Sequence, residues 1–226
     1  MTDRSSLHLL VPRARVFAFA TFVAAAAGFA HAQVTNVVDG SALHPPTGAR
    51  VAIVEFDDLE CPACAHANPT LKAAADKYHI PWIRHDMLIP SHIWSRNAAI
   101  YARWFDAQGH GLGDTYRDTV FASQNSIYNV QSLDQFTQNF AHGHGIALPF
   151  NVDPQNKLAG EVDADNKLSL RTGIGHTPTI FIATSHSKGA AYIEVQKVDT
   201  DLYRIIDEAL EDTKPEPAAS KAKPKK

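Results

Sequence analysis

The run Val51 to Phe56, Val-Ala-Ile-Val-Glu-Phe, is apolar but for Glu55 and ends in acidic, turn-tolerant residues. That is the pattern of a strand buried on both faces, where alternation with polar positions disappears. After Cys61 the period changes. Leu71, Ala74, Ala75 and Tyr78 fall at i, i+3, i+4 and i+7, one face of a helix. Pro62 suits its first turn, and Pro69 lies inside it and predicts a kink. Ile80 to Ile89 reads as a second strand, so a parallel strand-helix-strand unit with a right-handed crossover is expected.

From Ser91 to about Gly173 the chain reads as helices separated by glycines. Ser95–Gln108 presents Ala98, Tyr101, Ala102 and Phe105 on one face and stops at Gly109. Ser132-Leu133-Asp134-Gln135 has the form of a capping box opening a helix with Phe136 and Phe140. Asp153-Pro154 opens another through Leu158 and Val162 that ends near Gly173. Two β-rich runs follow, Thr179–Ala183 and Ala191–Val195, joined by a polar turn at Ser185–Gly189 as an antiparallel hairpin. A last helix from Asp199 carries Leu202, Ile205, Ile206, Ala209 and Leu210 on one stripe. The order predicts an α/β protein: a mixed sheet flanked by helices, formed by residues 33–90 and 174–212, with a helical subdomain inserted over 91–173.

Both ends differ from this body. Arg4, Arg13 and Arg15 precede a charge-free run from Val16 to Ala30, and Ala30-His31-Ala32 supplies a small-x-small cleavage pattern. Residues 1–32 therefore read as a signal peptide for export to the periplasm, too short in its apolar part for the roughly 20 residues of a membrane span. Residues 213–226 are rich in Lys and Pro without periodicity and read as a disordered, solubilising tail. Between them, residues 33–212 hold 13 basic against 22 acidic side chains, a charge of −9. Such a body lacks the clustered cations that displace counterions from a phosphate backbone, so nucleic acid is excluded as a partner.

The chain has two cysteines, Cys61 and Cys64, three positions apart at the start of the first helix. A Cys-x-x-Cys pair there can close a small disulfide, and the helix N-terminus favours the thiolate of Cys61, the form that attacks disulfides. Cys64, one turn inward, would resolve the mixed disulfide. A structural zinc site lacks a second Cys pair and well-spaced histidines. A soft-metal carrier using Cys61, Cys64 and His66 remains an alternative on the residues alone, as does an inert disulfide.

Strand, Cys-Pro-Ala-Cys at a helix start, Pro69 within that helix, and Thr177-Pro178 before a later strand resemble the thioredoxin superfamily. The helical insertion makes residues 34–212 similar to its DsbA-like branch. The resemblance implies a cis Pro178 facing the cysteines, with the Thr177 backbone offering strand-like hydrogen bonds to a substrate peptide. It also implies a carboxylate beneath the resolving Cys, at Glu55, raised in pKa by burial and acting as general base. Ala63 stands where the strongest oxidant of that branch has His, and Asp57, Asp58 and Glu60 crowd the approach to Cys61. Both features predict a less depressed Cys61 pKa and a milder oxidant. His176, two residues before Pro178, is a candidate thiolate modulator.

The expected function is thus an exported, monomeric thiol-disulfide oxidoreductase without metal or cofactor. Its partners would be unfolded or cysteine-containing exported proteins and a membrane redox partner. The alternatives are a reductase fed by a membrane partner, a non-catalytic copper-binding carrier on the same fold, and a chaperone without redox turnover.

Overall fold

The structure is a computed structural model that describes residues 37–185 and 191–215. The expected signal peptide, most of the hairpin turn and all but the first residues of the tail lie outside the described residues. The elements in chain order are β1 (Val51–Asp57), α1 (Pro62–Tyr78), β2 (Trp82–Asp86), α2 (Ser95–Asp106), α3 (Leu112–Ser123), a 3₁₀ turn (Gln124–Ser126), α4 (Val130–Gly143), α5 (Lys157–Thr172), β3 (Thr179–Thr184), β4 (Tyr192–Glu194) and α6 (Val198–Asp212).

The sheet order is β2-β1-β3-β4, with β2 parallel to β1 and the other pairs antiparallel. This is the expected mixed sheet. β1 is central and buried throughout, which explains its unbroken apolar run. Its side chains alternate between two cores. Val51 and Ile53 pack with Leu71 and Ala74 of α1 and with Leu202 and Ile205 of α6, whereas Val54 and Phe56 pack with Met87, Ile174 and Phe181. Glu55 and Asp57 continue the α1 side of this alternation, so two acids point beneath the helix that carries the cysteines.

β2 is shorter than the predicted Ile80–Ile89. At its start Ile80 N–H closes the end of α1 on Ala75 O, after His79 takes a left-handed turn at φ 51°. At its end the N–H groups of Leu88 and Ile89 leave the ladder for the side chains of Asn166 and Asp58. α4 begins three residues earlier than expected. Asn129 is its N-cap, accepting from Ser132 N–H at 2.9 Å, while Ser132 Oγ accepts from Asn129 N–H at 3.0 Å, so Ser132 is the far partner of the box. Similarly, Asp153 caps α5 from outside: its Oδ2 accepts from Ala159 N–H at 2.8 Å, and Pro154 lies in the preceding turn.

Between β2 and β3 the inserted helices form their own core around Phe105, Tyr116 and Phe140, whose ring centroids lie 4.8–5.1 Å apart. The Tyr116 and Thr137 hydroxyls hydrogen-bond at 2.7 Å within it. Leu59, Cys61 and Cys64 belong to the same cluster. The cysteines therefore sit on the seam where the inserted helices meet the sheet. Among the described residues no helix is long and apolar enough to cross a membrane.

Candidate active site

α1 starts at Pro62, with Cys61 as its N-cap in extended conformation (φ −80°, ψ 120°). Proline at the first helical position loses no hydrogen bond, because the N–H groups of the first turn have no helical acceptor. Those of Ala63 and Cys64 turn to the Cys61 sulfur. Both cysteines are free thiols here.

Cys61 lies well below the ordinary thiol range, at about 5. The hydrogen bond from the Cys64 thiol contributes most; burial opposes it, and the Thr177 side chain and the two backbone N–H groups add to it. Thr177 acts in both directions, because its carbonyl accepts from the Cys61 thiol at 3.5 Å and so favours the protonated form. Cys64 moves the opposite way. Burial pushes its thiol far up, reinforced by its bond to Cys61 and by the charges of Asp57 and Glu55. One sulfur is ready to attack and its neighbour holds its proton.

Cys61 is not open to solvent. The residue is only 7 % exposed, packed among Leu59, Trp94 and the inserted helices, and Cys64 is wholly buried. Pro62 and Ala63 are exposed, while Thr177 and Pro178 are half-buried, so access is along the edge facing the Thr177–Pro178 loop. The Thr177–Pro178 peptide bond is cis.

Two of the three acids before Cys61, Asp58 and Glu60, do not crowd it as expected. Asp58 is buried, accepting from Glu60 N–H and Ile89 N–H at 2.8 Å each and lying 3.0 Å from His92 Nδ1. Glu60 Oε2 accepts from Trp94 N–H at 2.7 Å and Ser95 N–H at 3.0 Å, capping α2. Their carboxylates thus serve backbone donors, and Cys61 stays low despite Ala63.

Glu55 is 1 % exposed, and its Oε2 accepts from Trp82 Nε1 at 2.9 Å and lies 3.9 Å from Arg84 Nε. The Arg84 guanidinium stacks on the Trp82 ring at 3.7 Å. Burial, helped by the Asp57 charge, lifts Glu55 to about 8, against the pull of Arg84. Asp57 is lifted by burial to about 7.

His176 is exposed; its backbone carbonyl accepts from Thr179 Oγ1 at 2.7 Å. The structure brings Cys61, Cys64, Glu55, Thr177 and Pro178 together, and shows no hydrogen bond or ion pair from the His176 ring to Cys61. His66 is turned toward α6, 3.5 Å from Asp199 Oδ2. Two contributors were missed. Gln124 Nε2 reaches from the inserted helices to the carbonyls of Leu59 at 2.8 Å and Cys61 at 3.1 Å, with nothing local in sequence to announce it. Arg84 was legible: Trp82, Arg84 and Asp86 alternate on one side of β2, in register with Ile53, Glu55 and Asp57.

A family described as thioredoxin matches residues 46–208, and the chain belongs to it. Its fold is that of the DsbA proteins. Alpha-DsbA1 of Wolbachia pipientis superposes with a TM-score of 0.60 at 17% identity, covering 80% of this chain and 94% of that one. BdbD of Bacillus subtilis gives 0.57 at 18%, covering 80% and 97%. The thiol-disulfide exchange protein alpha-DsbA2 of Wolbachia pipientis gives 0.55 at 19%, covering 73% and 84%. No curated protein matches in sequence.

Proposed function

We propose that the protein is an exported thiol-disulfide oxidoreductase that donates a Cys61–Cys64 disulfide to cysteine-containing polypeptides outside the cytoplasm. The observation that carries this reading is the opposed pair of thiols, Cys61 held low and Cys64 held high, beside the Thr177–Pro178 loop. In the oxidative direction a substrate thiolate attacks Cys61 of the disulfide and Cys64 leaves, taking a proton from a buried carboxylate. A second substrate thiolate then attacks its own sulfur in the mixed disulfide, and Cys61 departs as thiolate. Thr177 would hold the substrate by strand-like backbone hydrogen bonds.

The low Cys61 makes that last departure favourable. A pKa of about 5 lies between about 3.5 in the strongest oxidant and about 7 in thioredoxin, which supports a mild oxidase. Export rests on the basic and apolar pattern of residues 1–32. A membrane partner would reoxidise the monomer in the periplasm. The test mixes oxidised protein with a reduced, unfolded substrate and follows thiol loss, then equilibrates the pair in glutathione buffers. Wild type should oxidise the substrate and Cys61→Ser should not; a wild type inactive in both oxidation and insulin reduction overturns the reading.

A further inference from the structure

We propose that Asp57, rather than Glu55, is the proton acceptor for Cys64, and that Glu55 and Asp57 form a carboxylate pair sharing one proton. The inference rests on the thiol-disulfide reading above and assigns one step within it. Position comes first. The Asp58 N–H, just past the C-terminal end of β1, bears on the Cys64 thiol and favours its thiolate. Asp57 is the neighbour of that N–H, whereas Glu55 lies two residues further down the same side of the strand.

The state of the two carboxylates is the second observation. Glu55 Oε2 is committed to Trp82 Nε1. Asp57 is 3 % exposed, and its buried Oδ2 has no hydrogen-bond partner. A buried acceptor without a donor is costly, and a proton shared with a nearby thiol relieves that cost. Asp57 also weighs more than Glu55 on the Cys64 thiol. The groups that bear on Asp57 are Glu55 on its own strand, Asp58 just beyond its end, Arg84 and Asp86 on β2, Arg117 on α3 and Cys64 on α1. Three neighbouring acids favour the protonated form and two guanidiniums favour the carboxylate, so the group is poised to exchange a proton near neutral pH.

The step balances. When a mixed disulfide on Cys61 is resolved, the Cys64 proton passes to the Asp57 carboxylate and the Cys64 sulfur bonds to the Cys61 sulfur. The bond from Cys61 to the substrate sulfur breaks, and that sulfur leaves with the electron pair and takes a proton from water. In the oxidative direction protonated Asp57 returns its proton to the departing Cys64.

The experiment loads Cys61 of the full chain with thionitrobenzoate and follows release of that chromophore against pH in wild type, Asp57→Asn and Glu55→Gln. Asp57→Asn should slow release at pH 7 by about a hundredfold, the lower end for loss of a general base, with a smaller effect of Glu55→Gln. Cys61 alkylation by iodoacetamide checks that each variant is folded. Carboxyl-carbon NMR of labelled protein supplies a second readout: with the Asp57 charge gone, Glu55 should titrate lower in Asp57→Asn. Release at wild-type rate in Asp57→Asn, or slow release confined to Glu55→Gln, overturns the assignment. A wild type that loads but never releases the chromophore instead overturns the underlying thiol-disulfide reading.

Discussion

At the scale of single residues, the chemistry depends on keeping two thiols three positions apart in opposite states. The helix start alone does not do this. Cys61 gains from the Cys64 thiol first, then from Thr177 and the N–H groups of Ala63 and Cys64. Thr177→Val removes one hydrogen bond to a charged sulfur, worth about 1.5–3 kcal/mol, and should raise the Cys61 midpoint by roughly one to two units. Thiolate absorbance at 240 nm measures it, and an unmoved midpoint removes Thr177 from the account. Linkage gives a second expectation. Cys61 is depressed in the folded reduced protein, so it contributes stability to that form that is complete above pH 9 and lost as pH falls through about 5. The oxidised form has no such thiolate. Melting temperatures of the two forms should therefore diverge in favour of the reduced form from pH 5 to 9, and a difference that stays constant over that range overturns the expectation. The motif itself was legible, because Cys-x-x-Cys and Thr-Pro are local words. The effect of Asp58 and Glu60 was not, since their partners Ile89, Trp94 and Ser95 lie 31 to 35 residues away and become neighbours only through folding.

At the scale of elements, short polar contacts decide where helices begin and how closely they approach. Glu60 satisfies two orphan N–H groups at the start of α2 and places negative charge at its positive end. Glu60→Ala should cost about 1–2 kcal/mol in urea unfolding, the range of a lost cap, and an unchanged midpoint would show the contact to be incidental. Gly113 has a different function. A Cβ there would stand 2.9 Å from Ala102 O and closer still to the Asp106 carboxylate that pairs with Arg117, so only glycine lets α3 approach α2 this closely. Gly113→Ala should accordingly destabilise, by about 1–3 kcal/mol for an overpacked contact, although alanine is the better helix former; stabilisation would show that the helices can part at no cost. Periodicity made α1, α2 and α6 readable, because each buries one stripe. The starts of α4 and α5 misled because Ser132 and Asp153 are both capping residues, but one acts from inside its helix and the other from several residues upstream.

At the scale of the whole molecule, the inserted helices must be fixed to the sheet, or the seam carrying the cysteines would not hold its shape. Arg103 of α2 makes that attachment. Its Nε donates to Asp86 Oδ2 at 2.8 Å and its Nη2 to Asp86 Oδ2 at 2.5 Å and Asp165 Oδ2 at 2.6 Å, joining α2, β2 and α5. Asp165 also accepts from Asp86 N–H at 3.2 Å and lies 3.0 Å from His85 Nδ1. Burial raises the Asp86 pKa even with Arg103 beside it, and burial likewise works against the Asp165 carboxylate, which His85 and Arg103 nevertheless hold low. Arg103→Met keeps most of the packing but leaves the buried Asp86 carboxylate facing the half-buried one of Asp165. Removing one partner of such a group costs about 3–5 kcal/mol at neutral pH. The sign of the pH dependence follows from Asp86. Its folded pKa lies above its unfolded value and rises further without the guanidinium, so the folded state takes up a proton first as pH falls. The deficit of Arg103→Met should therefore shrink from pH 7.5 to pH 5, read from urea midpoints of variant and wild type at both values. A deficit that stayed level or grew on acidification would mean that neither Asp86 nor Asp165, which lose the same guanidinium, takes up that proton, and the energy of the attachment would then reside in the packing of the Arg103 side chain rather than in its charge.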